Sequence, residues 1–125
     1  RDLHSFPTRR SSDLDVPMHF TAFQPHWKML DIPVTPEKTL TRARQIALDN
    51  GVHYAYTGNV HDKSGESTYC HRCGERLIGR DWYELSHWQL DKNGCCKSCG
   101  TACMGLFEAL PGDWGAKRQP VQILG

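Results

Sequence analysis

The sequence contains no long hydrophobic run. Its 125 residues are 38% hydrophobic, and no apolar stretch approaches the roughly 20 residues that a membrane-spanning helix needs. The N-terminus also lacks the apolar core of a cleavable secretory signal. These two absences predict a cytoplasmic protein without a membrane partner. At this length the chain has room for one ordinary domain or two small ones.

A charge excess of either sign is also missing. The chain carries 15 Lys and Arg against 14 Asp and Glu, which gives a formal net charge of +1. A domain that binds the phosphate backbone of DNA or RNA usually shows a basic excess or a basic stripe. A nucleic-acid partner is therefore not expected.

Cysteine, by contrast, is abundant and patterned. Residues 70–74 (CHRCG) and 96–100 (CKSCG) repeat one motif, in which two cysteines separated by two residues are followed by glycine. Two thiolates at this spacing can point at one ion, and two such motifs supply the four ligands of a closed tetrahedral Zn²⁺ site. The predicted metal ligands are Cys70, Cys73, Cys96 and Cys99.

Other interpretations of the cysteines stay open. Two disulfides would need an oxidising compartment, which the missing signal sequence does not favour. A redox-active Cys-x-x-Cys motif usually occurs once, whereas this motif is duplicated. Cys95 could replace Cys96 as a ligand, although only Cys96 keeps the two-residue gap, and Cys103 fits a small buried apolar residue. The spacing does not decide between zinc and iron.

Residues 1–14, RDLHSFPTRRSSDL, show no hydrophobic periodicity and no face that could join a core. Such a composition is typical of a disordered tail. The string also resembles the translation of a sequencing-adapter remnant. We therefore predict that residues 1–14 are non-native or disordered and lie outside the fold.

Residues 15–63 show the pattern strand, helix, strand. Alternating apolar residues over 16–23 precede a helix start at Thr35-Pro36, and Asn50-Gly51 is a typical helix end. A second run of strand formers covers 52–57. Two strands joined by a helix form a right-handed βαβ unit with parallel strands. Because one unit cannot cover both faces of its sheet, we expect it to end a larger α/β domain.

Polar residues follow both predicted strands. The first strand leads into Gln24, His26 and Lys28, and the second leads into Asn59 and His61. Ligand sites of parallel α/β folds lie at the carboxyl ends of the strands. We therefore expect these side chains to share one rim, although each taken singly also fits an ordinary surface loop.

Several segments, in their order, resemble one protein family. They are 16–29 (VPMHFTAFQPHWKM), 35–62, 68–78 (TYCHRCGERLI), 99–108 (CGTACMGLFE) and 111–115 (PGDWG). They are similar to the radical SAM enzyme of the AmmeMemoRadiSam system, which is related to the activating enzymes of pyruvate formate-lyase.

The resemblance implies an α/β fold in three parts after the tail. Residues 15–63 would be the C-terminal βαβ portion of a partial (β/α) radical SAM barrel. Residues 64–110 would form a small zinc-ribbon-like β module, and residues 111–125 a C-terminal tail.

The resemblance also implies an activity. Enzymes of this family use a [4Fe–4S] cluster to cleave S-adenosylmethionine to a 5′-deoxyadenosyl radical, which abstracts hydrogen from a substrate. The substrate, a protein or a small molecule, stays unknown, and the family name implies a Memo-like partner. The residues that would contact the cofactor are Gln24, His26, Lys28 and Asn59.

Two departures from the family pattern limit this expectation. The family's cluster-binding Cys-x3-Cys-x2-Cys motif does not occur, and Gln24 stands where the family phrase FTAFHP has histidine. The chain is therefore expected to be an inactive C-terminal fragment of a radical SAM enzyme, with no catalytic residue of its own.

A different class of function fits the same residues. Apolar and aromatic side chains alternate between the two cysteine motifs, notably over 82–85 and 88–90. This alternation indicates short antiparallel strands, as in a zinc ribbon. The alternative is a stand-alone zinc-ribbon module that binds nucleic acid or protein.

Overall fold

The computed structural model describes residues 11–113, 115–118 and 120–123. It contains two small sheets, one parallel and one antiparallel, with a helix between the two strands of the first. In chain order the strands and α-helices are β1 (Met18–Thr21), α1 (Glu37–Asp49), β2 (Ala55–Gly58), α2 (Lys63–Glu66), β3 (Thr68–Tyr69), β4 (Arg76–Asp81) and β5 (Glu84–Trp88). No helix in the described ranges combines the length and apolar character needed to cross a membrane.

The predicted N-terminal tail is described only in its last four residues, and 1–10 lie outside the described residues. Ser11–Asp15 form a short 3-10 helix. The carbonyl of Leu14 accepts a hydrogen bond from the N–H of His53 at 2.9 Å. Residues 11–14 therefore contact the fold, whereas the tail prediction placed them outside it.

The strand–helix–strand pattern is confirmed as a parallel pair joined by α1. The register runs from Met18 opposite Ala55 to Thr21 opposite Gly58. Leu40 and Ala47 of α1 are buried, whereas Ile46 of the same helix is 51% exposed. Two strands are too narrow to cover the full apolar stripe of α1, which leaves Ile46 outside the contact.

The start of α1 also differs by one residue from the prediction. Pro36 is the N-cap residue and makes no side-chain capping bond. The hydroxyl of Thr35 instead accepts a hydrogen bond from the N–H of Phe23 at 2.9 Å, while the N–H of Thr35 donates to the carbonyl of Phe23 at 3.3 Å. These two bonds close the neck of the loop 24–34.

The βαβ portion expected over 15–63 is present, with two parallel strands. The described residues give no evidence of the barrel to which this portion was assigned. The proposed boundary between residues 63 and 64 also falls inside α2, which contacts both β2 and β4. The α/β unit and the antiparallel sheet therefore pack on a shared helix.

The second sheet is antiparallel, in the order β3-β4-β5. The strands between the cysteine motifs are therefore confirmed, but their positions differ from the prediction. Trp82 and Tyr83 were assigned to a strand, yet they form the turn between β4 and β5, and Trp82 has a left-handed φ of 54°. Their exposed fractions are 51% and 71%. Alternation alone does not separate a strand end from a hairpin turn.

The main core lies under the antiparallel sheet and receives one residue from the parallel unit. Tyr54 enters this core with 4% exposure, and its hydroxyl accepts a hydrogen bond from the N–H of Met104 at 2.9 Å. Burial raises the pKa of Tyr54 far above its ordinary value, so the phenol stays neutral. The other buried members of this core are Cys70, Leu77, Ile78, Leu90, Cys96 and Cys103.

The turn before α2 depends on the carboxylate of Asp62. This group accepts hydrogen bonds from Ser64 at 2.7 Å and from Thr57 at 3.2 Å. Burial opposes ionisation, but the bonds from Ser64, the Gly65 N–H and Thr57 outweigh it and lower the pKa of Asp62. A Cβ added at Gly65 would collide with the Thr57 hydroxyl and the Asp62 carboxylate.

We expect Asp62→Asn to lower the free energy of unfolding at pH 7 by about 1 kcal/mol, since it removes charge-assisted hydrogen bonds. A lowered folded-state pKa means that the carboxylate stabilises the fold above the unfolded-state pKa of about 3.9. That contribution is lost as pH falls through the folded-state value. Urea unfolding of both proteins from pH 7 to pH 3 should show their difference shrink. Asp31→Asn, in the exposed loop 24–34, is the control, and an equal loss there would contradict the assignment.

Candidate metal centre

The two cysteine motifs fold into nearly identical turns. In the first, the N–H of Gly74 donates to the carbonyl of Cys70 at 2.9 Å. In the second, the N–H of Gly100 donates to the carbonyl of Cys96 at 2.8 Å. The glycines have φ values of 77° and 76°, a conformation that costs glycine least. Each glycine thus lets the chain reverse after its second cysteine, so that both sulfurs of the pair face inward.

The turns bring the four predicted ligands together. The Sγ atoms of Cys70, Cys73, Cys96 and Cys99 lie within 4.8 Å of one another. The Cys70–Cys99 sulfur distance is 3.5 Å and the Cys73–Cys96 distance is 3.7 Å. A Zn–S bond of about 2.3 Å in a tetrahedron implies sulfur separations of roughly 3.8 Å. The arrangement therefore fits a metal such as zinc.

The protonation of the four thiols is uneven. Hydrogen bonds between Cys99 and the side chain and backbone of Thr101 lower the pKa of Cys99 to about 6. A backbone bond at Glu75 favours ionisation of Cys73, but burial and the neighbouring thiols prevail and raise its pKa to about 12. Four adjacent thiolates repel one another, and a bound cation removes this penalty.

All six cysteines are free, and no disulfide forms. The closest sulfur pair across the two motifs is 3.5 Å apart, well beyond the roughly 2.05 Å of a disulfide bond. Cys95 lies outside the quartet, with its Sγ 4.0 Å from the carbonyl of Asn93. Cys103 is buried in the core, and burial raises its pKa. The cluster of sulfur atoms thus contains Cys96 and not Cys95.

A second group of residues lies beside the cysteine quartet, and no pattern in the sequence indicated it. His71, between the first two ligands, stacks on His53 with ring centroids 4.0 Å apart. His53 in turn pairs with Asp15 through Nδ1 at 2.7 Å. These contacts connect the first turn to the start of β2. Histidines so far apart in the chain carry no spacing signal that would have revealed the stack.

The predicted rim residues are partly brought together. The amide of Gln24 donates to the carbonyl of Asn59 at 3.3 Å, and both side chains line a shallow cavity of about 660 Å³ with His26. Lys28 does not line this cavity, and its Nζ lies 4.5 Å from the ring centroid of Trp27. Trp82, from the antiparallel sheet, completes the cavity wall and was not predicted there. A cofactor role for these residues stays a prediction.

Comparison with known proteins adds one relative. No family model matches the chain, and no solved structure matches it. The chain is similar to the uncharacterized protein MJ0808 of Methanocaldococcus jannaschii, with 42% identity over 87 residues. The matched stretch covers 69% of this chain and 26% of the relative. The chain therefore spans about a quarter of the length of the relative it matches.

These findings overturn the resemblance to radical SAM enzymes. No family model supports it, the matched relative is uncharacterized, and the described residues form no barrel. The identification of the chain as a radical SAM fragment is therefore wrong. The [4Fe–4S] cluster, S-adenosylmethionine and the Memo-like partner depended on that identification and lose their support with it.

We expect Cys70→Ser to abolish stoichiometric metal binding and the fold of the antiparallel sheet. Structural zinc contributes on the order of 10 kcal/mol to small sites, which is comparable to the whole stability of a domain. Metal analysis and near-ultraviolet circular dichroism would measure both losses. Cys95→Ser is the matched control and should bind as much metal as the wild type. Metal loss in Cys95→Ser but not in Cys70→Ser would show that Cys95 is a ligand and contradict the assignment.

Proposed function

We propose that this chain is a binding module whose fold depends on a structural zinc ion and whose partner is a protein. The observation that carries the proposal is the closed cysteine quartet. Four protein ligands complete a tetrahedron and leave no coordination position for a substrate. Such a metal holds structure together rather than performing chemistry, so the function lies in the surface that it supports.

Zinc suits this role better than iron. The quartet joins two turns of the chain, and the buried Cys70 and Cys96 are part of the core beneath it. Zinc has no redox chemistry and no geometric demand of its own beyond the tetrahedron. A metal that changes oxidation state would alter the charge inside this core, which is a disadvantage for a purely structural site.

Charge favours a protein over a nucleic acid as the partner. The formal net charge of +1 leaves no basic excess for phosphate contacts. One surface cation is also paired, since Lys63 bonds to Asp81 at 3.0 Å. A neutralised cation of this kind contributes little to phosphate binding.

The exposed apolar residues are the second support for a protein partner. The loop 24–34, closed at its neck by Phe23 and Thr35, exposes Trp27 at 80% and Leu30 at 71%. Met29, Ile32 and Val34 of the same loop are between 41% and 48% exposed. Contiguous exposed apolar side chains are typical of protein interaction surfaces.

Metal analysis tests the first half of the proposal. The purified chain should contain one zinc per molecule, and Co²⁺ substitution should give the intense visible absorption of a tetrahedral thiolate site. A strong chelator should unfold the antiparallel sheet. Stoichiometric iron, or circular dichroism unchanged after the metal has been removed, would contradict a structural zinc.

Site-specific photo-crosslinking tests the second half. A photoreactive residue at Trp27 should give a protein adduct of discrete mass in cell extract, and Cys70→Ser should abolish it. The same residue at the exposed Lys38 of α1 is the control and should give no discrete adduct. Saturable, salt-dependent binding to single- or double-stranded oligonucleotides, together with equal crosslinking at both positions, would instead support the nucleic-acid alternative.

A further inference from the structure

A cavity of about 600 Å³ lies between α1, the outer edge of β2 and the first cysteine turn. Its volume falls within the range of roughly 300–1,000 Å³ that is typical of small-molecule sites. It is separate from the rim near Gln24, since the two cavities share no lining residue. The first cysteine turn contributes Cys70 and His71 to its lining, whereas no residue of the loop 24–34 does.

Arg44 supplies a positive charge to this cavity. Its Nε donates to the carbonyl of Ala55 at 2.9 Å, and its guanidinium lies 5.4 Å from the ring centroid of Tyr69. Within the described ranges no carboxylate forms an ion pair with it. The positive charge of Arg44 helps to lower the pKa of Asp62, but the Asp62 carboxylate is hydrogen-bonded to Ser64 and Thr57. The two Nη groups of Arg44 therefore remain available as donors.

The backbone of β2 adds a second donor. In the parallel register, Met18 faces Ala55 and bonds to the residues on either side of it, as the bond from the Met18 N–H to the Tyr54 carbonyl shows. The N–H and C=O of Ala55 consequently point to the opposite edge of β2, where no further strand of the described residues pairs. Arg44 donates a hydrogen bond to the C=O of Ala55, and the N–H of Ala55 faces the cavity beside the guanidinium.

The remaining walls are apolar or aromatic. Leu48 of α1 and the buried Val52 and Tyr54 line one side, and the stacked rings of His53 and His71 line another. The acid near this wall, Asp15, is paired with His53 at 2.7 Å. An arginine fork beside a backbone N–H suits a carboxylate, and the flat walls suit an apolar or aromatic body.

We propose that this cavity binds a carboxylate attached to an aromatic or apolar group. The guanidinium of Arg44 and the N–H of Ala55 hold the carboxylate oxygens, and the body lies against Leu48, Val52 and the His53–His71 stack. The carboxylate comes either from a free small acid or from the C-terminus of a polypeptide. Both sources present the same chemistry to Arg44.

Titration of the zinc-loaded chain with benzoate, monitored by amide NMR, tests the proposal. Saturable shifts should appear at residues 52–56 and 69–71, and the neutral isostere benzamide should bind at least roughly tenfold more weakly. N-acetylglycylphenylalanine binding more tightly than benzoate would identify a polypeptide C-terminus as the source, and weaker binding would identify a free acid. Tighter binding and weaker binding of this peptide, each relative to benzoate, both require that the carboxylate site exists.

Arg44→Gln should weaken benzoate at least roughly tenfold, and Arg44→Lys, which keeps the charge but loses the fork, should give an intermediate loss. Arg42→Gln, on an exposed position of the same helix, is the control and should bind as the wild type does. Zinc content and circular dichroism establish that each variant is folded. Equal binding of benzoate and benzamide, an unchanged affinity in Arg44→Gln, or no saturable shift with any acid would overturn the proposal.

Discussion

The close approach of four sulfur atoms is the constraint on which the rest of this structure depends. Sulfur separations of 3.5 Å and 3.7 Å bring together cysteine pairs whose members lie 29 and 23 residues apart in the chain. Thiolates at this distance repel one another unless a cation balances them. Because Cys70 and Cys96 are also members of the main core, the packing of Leu77, Ile78 and Leu90 depends on the same balance.

The parallel unit depends in turn on this core. Two-stranded sheets are marginal by themselves, and the core that α1 covers is small, with Ala47, Val52 and Ala55 as its buried members. Tyr54 connects it to the larger core, and His53 stacks on His71 beside the first metal ligand. The two halves of the chain are therefore not independent modules, and loss of the metal should weaken the α/β unit as well.

Because the proposed metal site has no open coordination position, we expect the function to lie in the surfaces around it. The loop 24–34 exposes apolar side chains on the parallel unit, whereas the cavity at Arg44 lies where that unit meets the first cysteine turn. The first cysteine turn forms one wall of that cavity. A ligand held there and the proposed zinc would therefore favour the same fold, which links their binding by mass action.

The sequence by itself indicated the four cysteines that cluster and the order of the main elements. Local spacing is sufficient for this, because a cysteine pair with its glycine defines its own turn and a strand, helix and strand define their own crossover. Tertiary structure alone decided that Trp82 lies in a turn facing Gln24 and Asn59, and that Arg44 meets the edge of β2. These features join residues far apart in the chain, and their positions follow from packing, which no local pattern encodes.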